Sequence, residues 1–189
     1  MRPTGESLRR VLAELRDLLP TYAMGIFYVR ESGLVEQLVI FNYYDEEEEY
    51  RSIVGNEERV REEKDLLVKN MQFYLDQEEV YINSERVYPR VVDVELGFQG
   101  DYKHPYILYF IVFRGSLRKG VNIYEDSYEP EVAEYDYRVY WIFPPNARVL
   151  SAHVGTSYRI LNKCRVLVFD VKAGFQTSGY EKIEFELLN

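Results

Sequence analysis

Residues 86–189 read as a long series of short β-strands that is dense in tyrosine. In two stretches, apolar side chains occupy every second position, which is typical of a strand with one buried face. The residues concerned are Val92, Val94, Leu96 and Phe98 in the first stretch, and Tyr135, Tyr137, Val139, Trp141 and Phe143 in the second. The second pattern predicts that Trp141 is buried on the same face as Val139 and Phe143.

The strands are joined by short turns rather than by helices. Tyr106–Phe113 is apolar throughout, which predicts a strand at the centre of a sheet, whereas the short run Gly120–Tyr124 predicts an edge strand. Consecutive strands without intervening helices are typical of two packed antiparallel sheets. The sequence therefore predicts a mainly β protein (α+β overall), an antiparallel β-sandwich that is immunoglobulin-like in architecture.

The N-terminal part has a different periodicity. Leucine and valine recur at three- and four-residue spacing from Leu8 to Leu19, which predicts an amphipathic helix that ends at Pro20 and packs against the sheet. Two strand-like runs follow, Met24–Arg30 and Val35–Tyr44, with a turn at Glu31-Ser32-Gly33 between them.

A second helix is predicted over residues 57–70, with Asn56 as its N-cap. This pattern makes residues 1–71 a helix–hairpin–helix addition, and residues 72–189 the β-sandwich. The change of periodicity near residue 72 marks the boundary. The two parts can still share one hydrophobic core.

The net charge of −9 is confined to one segment. Residues 44–85 hold 14 acidic and 5 basic residues, so the rest of the chain is neutral on balance. Because nucleic-acid-binding proteins carry a basic surface, we expect no nucleic acid as a partner. No stretch approaches the roughly 20 apolar residues of a membrane span, so we expect no membrane association and a cytoplasmic location.

The sequence contains no recognisable motif for a cofactor, a metal site or catalysis. The glycine patterns of phosphate-binding loops and the His and Cys spacings of zinc sites do not occur. The single cysteine, Cys164, lies in an apolar pattern that predicts a buried, inert thiol. The expectation is therefore no cofactor, no metal and no catalytic residue.

The 18 tyrosines are the best functional clue. Tyrosine is enriched at protein interfaces because its ring is apolar while its hydroxyl stays hydrated. One cluster lies among acidic residues, which makes these candidate binding residues: Tyr124, Glu125, Asp126, Tyr128 and Tyr135. The first hypothesis is a non-enzymatic interaction or assembly module that binds a protein partner, or itself as a homodimer, through a tyrosine-rich strand face.

The alternative hypothesis uses the same stretch of chain for chemistry. Acidic and aromatic residues near 124–137 are the residue types of a glycoside-type hydrolase, which needs two carboxylates, or of a carbohydrate-binding sandwich. The sequence leaves these readings open beside the interaction module.

Overall fold

The computed structural model describes residues 18–188 of the chain. Of these, 53% lie in strands and 15% in helices, which makes the fold mainly β, as predicted. The strands are β1 (Leu19–Val29), β2 (Leu34–Tyr44), β3 (Glu79–Ile82), β4 (Glu85–Val87), β5 (Arg90–Phe98), β6 (Pro105–Arg114), β7 (Gly120–Ser127), β8 (Asp136–Ile142), β9 (Ala147–His153), β10 (Tyr158–Leu161), β11 (Val166–Val171) and β12 (Tyr180–Leu187). The helices are α1 (Glu49–Val54) and α2 (Glu57–Leu75).

Two sheets pack in a sandwich-like arrangement. The large sheet has seven strands in the order β10-β11-β8-β1-β2-β6-β5, and the small sheet has five in the order β4-β3-β7-β12-β9. One ladder departs from the predicted antiparallel pattern, because β1 and β8 pair in parallel from Tyr22/Asp136 to Tyr28/Ile142. More than a hundred residues separate these two strands, so their pairing left no local signal in the sequence. The immunoglobulin-like architecture stays a prediction.

The N-terminal hairpin lies at the centre of the large sheet. β1 and β2 are joined at the predicted turn, where Gly33 has a φ of +79°, and they lie between β8 and β6. Residues before and after position 72 in the sequence belong to one hydrophobic core cluster, a possibility that the sequence analysis left open. The predicted N-terminal helix lies, as far as position 17, outside the described residues. Leu19, its predicted last residue, instead begins β1.

Helix α2 agrees with its prediction at the start and runs further at the end. The Asn56 side chain accepts a hydrogen bond from the Arg59 backbone NH at 3.1 Å, which satisfies one of the open NH groups of the first turn. The helix continues to Leu75, five residues past the predicted end. Leu67, Met71 and Leu75 are buried at 0–2% exposure, so this apolar stripe joins the core.

The core lies between the inner faces of the two sheets, and Trp141 is at its centre. Trp141 is 2% exposed, Val139 2% and Phe143 1%, which confirms the predicted buried face of β8. Across the interior, the ring of Tyr124 on β7 lies 4.5 Å from that of Trp141.

β7 was predicted as an edge strand, and this prediction was wrong. β7 runs from Gly120 to Ser127 and pairs with β3 on one side and with β12 on the other. The polar Asn122 interrupted the apolar pattern, yet it is fully buried. Its amide donates to the carbonyls of Arg118 and Gly120 at 2.7 and 3.0 Å, which removes the penalty for burying it.

The environment of Cys164 was also predicted wrongly. Cys164 is exposed and lies in the turn between β10 and β11. Asn162, Lys163 and Cys164 all have φ values between +51° and +67°. A chain in this left-handed conformation reverses direction instead of continuing a strand, so the apolar residues around Cys164 belong to two strands and not to one.

Candidate functional site

The outer face of the large sheet is the most distinctive surface of the described residues. In each of its central strands, alternate side chains point into the core. Many of the outward side chains are large and apolar as well, as the apolar runs of the sequence indicated, and most of them are half-buried. They are Met24, Ile26 and Tyr28 on β1, Leu38 and Ile40 on β2, Leu108, Phe110 and Val112 on β6, Tyr140 and Ile142 on β8, and Val166 and Val168 on β11. Val168 is the exception to half-burial, at 1% exposure.

Strand register aligns these side chains in rows across the sheet. One row runs Val168–Tyr140–Ile26–Leu38–Phe110, from β11 to β6. The next row runs Arg138–Met24–Ile40–Leu108, and ends at Glu95 on β5. Because neighbours in a row are about 5 Å apart, their side chains form one continuous apolar surface.

Polar side chains and tyrosines surround the two central rows. The row toward the start of β1 is Asp136–Tyr22–Asn42–Tyr106, and the Tyr106 hydroxyl donates to Glu95 at 2.8 Å. This hydrogen bond raises the pKa of Tyr106, and burial raises the pKa of Tyr22. Both hydroxyls therefore stay protonated at neutral pH. An apolar centre with a polar, tyrosine-bearing rim is the usual composition of a protein interface.

Helix α2 and the small sheet lie on the opposite side of the large sheet. Leu67, Met71 and Leu75 of α2 and the inward residues of the small sheet all belong to the core cluster. None of the outward apolar residues of the large sheet is part of that cluster, within the described range 18–188. The outer face of the large sheet is therefore not part of the hydrophobic core formed by the described residues.

The outer face of the small sheet has the opposite character. Lys182, Glu184 and Glu186 alternate along β12, with ion pairs Lys182–Glu184 at 2.8 Å and Arg148–Glu186 at 2.7 Å. Surface ion pairs of this kind keep a sheet face hydrated. The two exterior faces of the sandwich thus differ in character, although the small sheet also exposes Val121 and Leu150, at 43% and 42%.

Two of the five predicted binding residues are tyrosines whose rings lie in the interior. Tyr124 is 4% exposed and Tyr135 is 5% exposed, so neither ring is available to a partner. Both occupy inward positions of the strand pattern, and for Tyr135 the alternation with Trp141 had already indicated the buried face.

The other three predicted residues lie around β7. Glu125 points outward and accepts a hydrogen bond from the Tyr180 hydroxyl at 2.7 Å. Asp126 is 5% exposed and lies directly opposite Glu181 of β12, itself 4% exposed. Tyr128 donates to Glu181 at 3.3 Å. Sequence reasoning missed Glu181, because the partner of Asp126 is 55 residues away and only strand pairing joins them.

A cavity of about 430 Å³ opens where the β1–β2 turn meets the β3–β4 hairpin and the β6–β7 loop. Two acidic and two basic side chains line it, Glu31, Glu85, Arg86 and Arg114. This balance of charge selects neither an anion nor a cation. Among residues 18–188, no group of three or more His, Cys, Asp or Glu side chains is arranged to hold a metal ion. In the same range, neither helix is long and apolar enough to cross a membrane.

No protein-family model and no curated protein matches the chain. Among solved structures, the folded domain of LppM from Mycobacterium tuberculosis is similar at 11% identity and a TM-score of 0.42, covering 90% of this chain and 93% of that one. An aminopeptidase N family protein from Idiomarina loihiensis (6% identity, TM-score 0.39) and an M1 zinc metallopeptidase from Deinococcus radiodurans (12%, 0.37) are similar over 86% and 89% of this chain. The chain spans 29% and 42% of those two proteins. TM-scores below 0.5 do not indicate a shared activity.

Proposed function

We propose that the protein is a non-enzymatic assembly module, and that two copies associate through the outer face of the large sheet. The two central rows of that face carry this proposal. They place apolar side chains next to one another across five strands, β11 to β6. Contiguous apolar surface that is not part of a core is stabilised when a partner removes it from water.

The size of the face suits a second copy. Strands from β11 to β5 are about 4.8 Å apart, and four rows about 6.7 Å apart cover their length, so the face measures roughly 24 by 20 Å. This is on the order of 500 Å² with the polar rim included, which is over half of the ~800 Å² that each partner buries in a standard interface. Two copies of one sheet face can also pack on each other about a two-fold axis.

Light scattering on the full chain tests the proposal. We expect a mass of twice 22.5 kDa at micromolar concentration, and the monomer mass for Leu38→Lys, which places a charge in the central row. Ile123→Lys is the matched control, because Ile123 is also half-buried on a central strand but lies on the outer face of the small sheet. This control is expected to stay dimeric.

Two results would overturn the proposed assembly. One is a monomer mass for the wild-type chain. The other is a dimer that survives Leu38→Lys but not Ile123→Lys, which would assign the interface to the small sheet. Urea unfolding followed by Trp141 fluorescence verifies that each variant is folded before its mass is interpreted.

A second candidate function, hydrolysis of a glycoside or a similar polar substrate, is supported by Asp126 and Glu181. They occupy opposite positions on β7 and β12, and hydrolases of this class use two neighbouring carboxylates. Their burial counts against access of a substrate. Turnover of aryl glycosides that is lost in both Asp126→Asn and Glu181→Gln would favour this function over the assembly module.

A further inference from the structure

The cavity of about 430 Å³ is bordered by segments from both sheets. The β1–β2 turn of the large sheet contributes Glu31 and Ser32, and the connection from β6 to β7 contributes residues 114–117. All three residues of β4, an outer strand of the small sheet, complete the lining. The volume is within the range of roughly 300–1,000 Å³ that is typical of small-ligand sites in proteins.

Two glycines allow the walls of the cavity to lie close together. A Cβ on Gly33 would lie 1.9 Å from the carbonyl oxygen of Gly115, and a Cβ on Gly115 would lie 2.6 Å from the Ile82 side chain. The backbone NH of Gly115 donates to the Gly33 carbonyl at 3.1 Å, and the Arg114 guanidinium donates to the Ser32 carbonyl at 3.0 Å. These contacts hold the three segments in place, so the cavity is pre-formed and its shape costs a ligand little to use.

The backbone of β4 presents hydrogen-bonding groups to this cavity. Asn83 and Ser84, which join β3 to β4, have φ values of +52° and +68°, as a two-residue type I′ turn requires. In such a hairpin the pair that flanks the turn exchanges both backbone hydrogen bonds, and the next pair, Tyr81–Arg86, exchanges none. The backbone NH and C=O of Arg86 therefore point away from β3, on the side where the described residues add no further strand.

Charged side chains of both signs line the cavity. Glu31 and Glu85 are acidic, and Arg86 and Arg114 are basic. The Arg86 guanidinium also lies 3.7 Å from Glu79, which is not part of the lining. A ligand with a single sign of charge would face two like charges here, whereas a ligand that carries an ammonium group and a carboxylate complements both pairs.

We propose that the cavity binds a short extended peptide, which pairs with the backbone of Arg86 and places its terminal carboxylate at Arg114 and its terminal ammonium group at Glu31 or Glu85. Addition of a peptide to an open sheet edge is a common mode of recognition, in which main-chain hydrogen bonds provide affinity. The three residues of β4 span about 10 Å, which matches a peptide of similar length. Peptide binding at this cavity does not depend on the proposed dimer.

NMR titration of the full, nitrogen-15-labelled chain with the tripeptide trialanine tests the proposal. We expect saturable shifts of the backbone amides of Arg86 and Gly115, and slower hydrogen exchange of the Arg86 amide in the complex. N-acetyl-trialanine amide has the same length but no charged terminus. It is expected to bind about tenfold more weakly, because both charged contacts are lost.

Two arginine variants assign the binding to the cavity. Arg114→Met removes the guanidinium and keeps a long side chain, and we expect it to weaken trialanine binding several-fold. Arg118→Met is the matched control, because Arg118 lies on the same connection but outside the lining and donates to the Val121 carbonyl at 3.2 Å. This control is expected to bind trialanine as the wild type does, and the amide spectrum of each variant verifies its fold.

Three results would overturn the proposed peptide site. The first is the absence of shifts at Arg86 in the wild-type chain up to about 10 mM trialanine. The second is equal affinity for trialanine and its uncharged form. The third is a loss of binding in Arg118→Met as large as the loss in Arg114→Met, because that would indicate a general effect of charge rather than contact with Arg114.

Discussion

The rings of Phe27 and Trp141 lie parallel, with centroids 4.0 Å apart and an angle of 6° between their planes. The two residues are register partners in the parallel ladder between β1 and β8. The contact therefore joins the N-terminal hairpin to the strand that carries the only tryptophan. It fixes the pairing of two segments that are far apart in the sequence.

Replacement of Trp141 by alanine is expected to lower the free energy of unfolding by about 3–5 kcal/mol. The side chain is 2% exposed and contacts the rings of Phe27 and Tyr124, so its removal leaves a cavity that the sheets do not fill by relaxing. Urea unfolding followed by circular dichroism measures the change, with Trp141→Phe as the control that keeps a ring and loses less. A midpoint near that of the wild type would show that the site repacks.

Gly33→Ala is expected to destabilise the fold more than Gly100→Ala does. Both glycines have a positive φ, +79° and +88°, so both substitutions carry the cost of roughly 1–2 kcal/mol for a left-handed residue with a Cβ. A Cβ on Gly33 would also lie 1.9 Å from the carbonyl oxygen of Gly115, whereas nothing lies within 4 Å at Gly100. Equal unfolding midpoints for the two variants would mean that the β1–β2 turn shifts away from residue 115 at little cost.

Local patterns in the sequence predicted the local structure well. The alternation around Trp141, the turn before Gly33 and the Asn56 cap each depend on a few adjacent residues, and all three are confirmed. The parallel pairing of β1 with β8 and the meeting of Asp126 with Glu181 depend on residues more than 50 positions apart. Single-sequence periodicity carries no information on such pairings.

The candidate site was likewise predicted only in part from the sequence. The tyrosine-rich character of the region around β7 was visible in the sequence, but Tyr124 and Tyr135, two of the candidate binding residues there, are buried. The outer face of the large sheet was missed because its strands are apolar on both sides, and Tyr106–Phe113 was interpreted as a buried central strand. A strand that is buried on both faces and a strand that has one exposed apolar face give the same sequence pattern.

Asn122→Ala is expected to cost about 2–4 kcal/mol, although asparagine to alanine is often mild at a surface. The Asn122 side chain is fully buried, and its oxygen accepts from the Arg118 backbone NH at 2.9 Å and from the Asn83 amide at 2.8 Å. Its loss would leave these donors buried without an acceptor. Thr21→Ala, which removes a single exposed hydrogen bond, serves as the control in the same urea experiment. A cost no larger than that of the control would show that water replaces the amide.

The stability of the fold is expected to fall as the pH rises above about 10. Burial, and then the hydrogen bond to Glu125, raises the pKa of Tyr180 from 10.0 to about 12. Between these two values the unfolded chain has lost the Tyr180 proton while the folded chain keeps it. The unfolded state then binds fewer protons, so the free energy of unfolding decreases with pH. Below pH 10 the contribution of Tyr180 to stability is fully present, and near pH 12 it is lost.

Urea midpoints at increasing pH measure the slope, which Tyr180→Phe is expected to make shallower. The buried tyrosines, whose pKa values are also raised, keep part of the slope in that variant. A Tyr180→Phe curve that coincides with the wild-type curve across this range would show that the Tyr180–Glu125 hydrogen bond does not contribute.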